Sequence, residues 1–257
     1  MSEQSLLLDI DNEGIATLTM NRPQQFNAIS VELMQRMLGH LTEIENNPKV
    51  RAVILRGNGP AFSGGGDLAT MRENLEHLPR FLGEIIDAFH TSLLAMRRLK
   101  VPTIAQVHGS AAGAGVSLAM ACDFVVAAEN TRFVVAYPKL ATSTDGGLTY
   151  YLAQRVGTAR ALDILLLRDQ LGAKEALDLG LISRVAAPEQ LEAEARAVAL
   201  RIAQLPAQSV SELKQLVLGY ADNMLANQLA AERAAFVRNA GTQEFANRIV
   251  AFLEKKR

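Results

Sequence analysis

The sequence contains no tryptophan, a single cysteine and only 5% aromatic residues. Cys122, standing alone, excludes an internal disulfide and any metal site built from several thiolates, and it fits a reducing compartment. The four histidines, His40, His77, His90 and His108, show no ligand pairing such as HExxH. No segment reaches the ~18 consecutive apolar residues needed to span a bilayer. Met1–Ser5 lacks a basic region followed by an apolar run, so no signal peptide is expected. Neither sign of charge prevails: 26 basic residues stand against 27 acidic ones, giving a net charge of -1. That balance leaves no electrostatic footprint for nucleic acid or anionic membrane. The expectation is a cytoplasmic protein that binds neither nucleic acid, membrane nor metal.

What is present is an ordinary globular composition. The 257 residues are 49% hydrophobic, which suits one large domain or a domain with a small appendage. Leu6–Ile10 and Ile15–Met20 read as a hairpin around Asp11-Asn12-Glu13-Gly14. Ser30 is placed to cap a helix carrying Leu33, Met34, Met37, Leu38 and Leu41, which stops near Asn46-Asn47-Pro48. Ala52–Leu55 reads as a buried strand. The polar stretch between Asp67 and Phe81 is expected to be a mobile loop, followed by a long helix from Phe81 to Leu99. Thr103–Val107, Phe124–Ala128 and Arg132–Val135 read as strands. From Leu148 onward the pattern is almost wholly helical, with Pro206 separating a tail over Ser209–Leu253. This predicts an α/β core over residues 1–200 and a helical appendage over residues 201–257.

Two glycine-rich segments leave predicted strands: Ser63-Gly64-Gly65-Gly66-Asp67 and His108-Gly109-Ser110-Ala111-Ala112-Gly113-Ala114-Gly115. Neither is a P-loop, since no Gly-Lys-Ser/Thr occurs, and neither fits GxGxxG with an acid about 20 residues on. Tight turns explain a single such cluster. Two of them, both poor in bulky side chains, favour a pair of backbone N–H donors, the requirement for an oxyanion hole.

These residues resemble the crotonase family, also called the enoyl-CoA hydratase/isomerase superfamily. The supporting pieces run in the family's order: Asn21-Arg22-Pro23, Asn27-Ala28, Ala61 through Leu68, Pro102 through Gly115, Cys122-Asp123, Phe133, Asp145-Gly146-Gly147, Arg155-Val156-Gly157 and Gly180-Leu181-Ile182. The resemblance implies a spiral of ββα units closed by a C-terminal helical region used for oligomerisation, as a homotrimer or dimer of trimers. It implies an acyl-CoA thioester as substrate, with coenzyme A part of that substrate and no separate cofactor. The oxyanion donors carry over to the N–H groups of Gly66 and Ala114, with Gly64 and Gly65 beside the substrate. Ala114 stands where the family often has glycine, which a backbone donor tolerates if φ there is negative.

Hydratases of the family use two glutamates to bracket a water, and the matching positions here are Ser117 and Tyr137. The two-acid hydration is therefore not expected. Asp145 matches an acidic position of some isomerases, where one carboxylate shifts a proton between carbons; on local sequence alone it reads first as a cap on the next helix. Phe133, Val135, Tyr137 and Leu140 are available to raise its pKa by burial. A rival arrangement resembles 4-chlorobenzoyl-CoA dehalogenase, with Asp145 as nucleophile and His90 as base, although Tyr137 replaces that enzyme's tryptophan. His90 also reads simply as a helix residue beside the Phe89–Leu93–Met96 stripe. A third reading is a catalytically silent acyl-CoA binder. Glu84 and Asp87 read as a solvated helix face. Asn27, Asp67 and His108 read as structural, Cys122 as core, and Lys255-Lys256-Arg257 as a solvated tail.

Overall fold

The computed structural model describes residues 4–219 and 222–254. The terminal readings, Met1–Glu3 and Lys255–Arg257, lie outside the described residues. The hairpin forms as β1 (Leu6–Ile10) and β2 (Ile15–Met20), paired Leu6 to Met20. Asp11 closes its turn by accepting from the N–H groups of Glu13 and Ile15. Ser30 caps α1 (Val31–Asn46) through Leu33 N, and the helix buries Leu33, Met34, Met37, Leu41 and Ile44. β3 (Ala52–Gly57) then lies parallel to β2.

The expected loop after Asp67 is ordered. Asp67 caps a short helix, α2 (Leu68–Glu73), by accepting from Thr70 N, and a 3-10 turn (Leu75–His77) runs straight into α3 (Leu78–Arg98). The correction has a simple cause. Pro79 sits in the first turn of α3, where its missing N–H costs nothing, so the helix starts inside the stretch expected to be a loop.

Two ββα units follow. β4 (Thr103–Val107), β5 (Ser110–Ala112) and α4 (Ala114–Ala121) form one. β6 (Phe124–Ala128), β7 (Arg132–Val134) and α5 (Leu148–Val156) form the next. α6 (Thr158–Leu167), β8 (Gln170–Gly172), α7 (Ala173–Asp178) and β9 (Arg184–Ala186) continue the chain. The two late strands were not anticipated; at three residues each they are too short to show a period of two.

The long strands build one sheet in the order β1-β2-β3-β4-β6-β9, and the short ones a second, β5-β7-β8. Ser63 bridges to Ala111, which pairs with Phe133, which pairs with Leu171. Each turn of the spiral therefore adds a strand to the large sheet, a short strand or a bridge to the small one, and a helical segment behind. Alternate residues of the large sheet face opposite ways. Ile15, Ala52, Ile54, Ile104, Val126 and Ala128 pack under Leu191, Ala195 and Ala199 of α8 (Leu191–Ala203). Leu18, Val53, Leu55, Ala105 and Val125 face the main core.

The expected tail is three helices: α9 (Ala207–Gly219), α10 (Asp222–Ala240) and α11 (Gln243–Glu254). They fold back on the core. α10 packs along α3, and α11 against α2 and the 3-10 turn Pro138–Leu140. Lys214 anchors α9 through Asp123 Oδ2 and the Val101 carbonyl, at 2.8 and 2.9 Å. Among the described residues no helix is long and apolar enough to cross a membrane.

Candidate active site

The two glycine segments lie side by side. Ser63 N donates to the Ser110 carbonyl at 3.2 Å, and Ala112 N donates to the Ser63 carbonyl at 2.9 Å. Gly65 has φ +88°, and a Cβ there would lie 2.4 Å from Ala112 O and 3.3 Å from Ala114 N. Both the backbone twist and the close approach therefore require glycine. Gly113, at φ +50° and ψ −120°, opens α4, so Ala114 N–H occupies the first helical position and has no intrahelical acceptor. Ala114 is not among the positive-φ residues, so alanine fits without strain. Within the described residues, neither Gly66 N nor Ala114 N donates to a backbone or side-chain acceptor. Gly64 instead donates to the Phe26 carbonyl at 2.7 Å and is exposed.

One helical turn further along α4, Ser117 reaches the second half of the site. Its hydroxyl donates to the Asp145 carbonyl at 2.9 Å and lies 3.1 Å from the Tyr137 hydroxyl. Tyr137 donates to Asp145 Oδ1 at 2.6 Å. The site thus brings Ser117, Tyr137 and Asp145 together in one buried chain. Gly113 joins this chain to the glycine segments: a Cβ on it would lie 3.9 Å from Tyr137 Cζ. His90 meets the same turn from α3, its Nε2 accepting from Gly146 N at 3.1 Å.

Asp145 does not cap α5. The cap position is Gly147, with φ +75°, and it offers no side chain. The N-terminus of α5 is satisfied instead by Glu232 of α10, which accepts from Gly147 N at 2.7 Å, Thr149 N at 3.1 Å, Thr144 Oγ1 at 3.2 Å and the Thr149 hydroxyl. Glu232 escaped the sequence reading. It lies 87 residues from Asp145 on a helix with little amphipathic signal, so nothing local marks it as buried.

Electrostatics follow from burial. Loss of water pushes the Asp145 carboxyl up to about 7; the Tyr137 hydrogen bond opposes this and the neighbouring Glu232 charge adds to it. Burial likewise pushes the Tyr137 hydroxyl well above its usual range, so it stays a donor. Burial lowers His90 to about 4, leaving a neutral ring. Since Nε2 accepts from Gly146, the ring proton sits on Nδ1.

The remaining candidates do local work. Asn27 accepts from Arg22 N and donates to the carbonyls of Asn58 and Ala61. Asp67 pairs with Arg22 at 3.3 Å besides capping α2. His108 Nε2 lies 2.9 Å from the Gly59 carbonyl. Asp87 pairs with Arg233, Glu84 with Arg80, and Cys122 is buried in the core. Clusters of three or more His, Cys, Asp or Glu suited to a metal are not found among the described residues.

A sequence-family profile described as enoyl-CoA hydratase/isomerase matches residues 11–257. The chain belongs to the enoyl-CoA hydratase/isomerase family. Its crotonase fold is the one seen in an enoyl-CoA hydratase from Mycobacterium avium subsp. paratuberculosis, with a TM-score of 0.88 and 29% identity over 97% of this chain and 99% of that one. Among relatives, it is 33% identical to the 1,2-epoxyphenylacetyl-CoA isomerase of Escherichia coli over 95% of this chain and 94% of that one. It is 31% identical to a probable enoyl-CoA hydratase of Mycobacterium bovis over 100% of this chain and 97% of that one. The relatives of this crotonase-fold chain thus carry both hydratase and isomerase names, and the choice between them falls to its own side chains.

Proposed function

We propose that this protein is an acyl-CoA isomerase that shifts a double bond from the 3,4 to the 2,3 position of an enoyl thioester. The observation that carries this is the buried Asp145, accepting from Tyr137 and raised to about 7. A base near neutrality has both a usable ionised fraction and a conjugate acid able to return the proton. The thioester oxygen accepts from Gly66 N–H and Ala114 N–H. Asp145 takes a proton from C2, the negative charge moves onto that oxygen, and the protonated Asp145 delivers the same proton to C4. Tyr137 holds Oδ1, which leaves Oδ2 to carry the proton. Each oxyanion donor contributes about 3–4 kcal/mol to such a transition state.

Hydration finds less support. It calls for two carboxylates around a water, and their positions hold Ser117 and Tyr137, both committed to Asp145. The hydrolytic reading needs His90 as a base, and its free nitrogen already accepts from Gly146. The protein is also read as a homotrimer or dimer of trimers. Its support is exposed apolar side chains on two helices, Leu162, Leu166 and Leu167 on α6 and Leu213, Leu216 and Val217 on α9.

A panel of thioesters separates the readings. Incubation with a 3-enoyl-CoA, a 2-enoyl-CoA and a 4-halobenzoyl-CoA is expected to give turnover of the first into the 2-enoyl product. Water addition to the second, halide release from the third, or binding of all three without turnover would each overturn the isomerase reading.

A further inference from the structure

Asp145 sits in a turn of four residues, Thr144 to Gly147, whose last two are glycines. Gly146 and Gly147 have φ of +61° and +75°. Three elements hold this turn. α3 holds it through His90 Nε2 on Gly146 N, and α4 through Ser117 on the Asp145 carbonyl. α10 holds it through Glu232, which binds Thr144 ahead of Asp145 and Gly147 and Thr149 behind it. The Glu232 contacts thus straddle the acid. The Glu232 carboxylate accepts from two backbone N–H groups and two hydroxyls. Oε1 accepts from the Thr144 hydroxyl, Thr149 N and the Thr149 hydroxyl, and Oε2 from Gly147 N, so both oxygens are engaged with the turn and the helix that follows it.

The other groups that face Asp145 do not supply the same charge. Ser117 and Tyr137 are neutral hydroxyls. His90 is neutral and acts through Gly146, and beyond it Asp87 of α3 is paired with Arg233 of α10. Glu232 alone among them brings a buried negative charge, at 4% exposure.

We propose that Glu232 is a positioning residue for the reaction: seated on the N-terminus of α5, it fixes the turn that carries Asp145 and opposes ionisation of that acid. A helix N-terminus favours a negative charge. By taking that place, Glu232 withdraws it from Asp145. The acid is left to Tyr137 and the apolar surround, so it stays a stronger base than an exposed aspartate. The inference rests on the reading of Asp145 as proton carrier, but its test does not need turnover.

The test is the titration of Asp145 followed by infrared absorption of protein labelled with carboxyl-13C aspartate, the band being assigned by its loss in Asp145→Asn. Glu232→Gln removes the charge and keeps an acceptor of similar size. Its Asp145 midpoint is expected to fall by about one pH unit, and the acid limb of the kcat/KM profile on a 3-enoyl-CoA to move with it. Glu232→Asp keeps the charge, and its midpoint is expected to match the wild type. Equal midpoints for wild type and Glu232→Gln would overturn the proposal. So would a fall in Glu232→Asp, which alone decides the matter if the glutamine variant does not fold. Isomerisation that survives in Asp145→Asn would instead overturn the proton-carrier reading and leave the titration result standing.

Discussion

A carboxyl raised to about 7 is a cost to folding once it ionises. Asp145 binds its proton more tightly in the native state than in the unfolded chain, where its value is near 3.8. Its contribution is therefore full below pH 3.8 and is lost as pH rises through 7. Asp145→Asn removes this titration. Thermal melts should show the variant gaining on the wild type between pH 4 and pH 8, by roughly 4 kcal/mol across the window. A pH-independent gap would place the acid in contact with water. His90 has the opposite sign. Held neutral with its value lowered to about 4, it supports the fold above pH 6.5 and withdraws that support as pH falls. His90→Ala leaves the buried Gly146 N–H without its acceptor, at about 1–3 kcal/mol. His90→Gln restores an acceptor and should recover most of the lost stability and isomerase activity by melting and rate measurement. Loss of activity in a stable His90→Gln would give the imidazole a chemical role.

Among the elements, the glycine segments test the donor pair directly. Gly65→Ala places a methyl 2.4 Å from Ala112 O at a φ of +88°. It should force apart the segments that present Gly66 N and Ala114 N, and lower kcat on an enoyl thioester by about two orders of magnitude, as loss of one oxyanion donor does. A Gly65→Ala enzyme with wild-type kcat would argue that the amides do not act together. That the two segments stand out together was legible because both follow strands and lack bulky side chains, and they do lie side by side. Taken locally, Asp145 was legible only as an acid before a helix, with capping the first reading; its place as a candidate proton carrier came from the family resemblance. The capping was settled by Glu232, a partner no local pattern connects to it. α2 escaped because its six residues fall in a polar stretch, and β8 and β9 because three residues carry no period. Secondary structure of the first half followed from caps and alternation, as at Ser30, where the cap forms, and in Ile15–Met20, which forms a strand although it is buried on both faces.

The whole molecule places the Ser117–Tyr137–Asp145 chain between the spiral and a helical tail. Tyr137 meets Phe236 of α10 edge-on at 6.4 Å, and Phe236 meets Phe245 of α11 at 5.9 Å, so the tail closes over its own site. Exposure of Leu166 at 65% and Leu167 at 80% is unusual for a surface left to water. Sedimentation velocity should find an assembly larger than one chain, and Leu166→Glu with Leu167→Glu should shift it toward the monomer. A wild type that sediments as a monomer at micromolar concentration would remove the oligomer proposal without touching the chemistry. That chemistry depends on one carboxyl carrying one proton across the face of the acyl chain. The most direct measurement is the rate at which a 3-enoyl-CoA becomes its 2-enoyl isomer, in wild type and in Asp145→Asn at matched folding. A proton carrier at Asp145 means a fall of about a hundredfold to ten-thousandfold in kcat for the variant; a rate within a few fold of wild type would contradict that role.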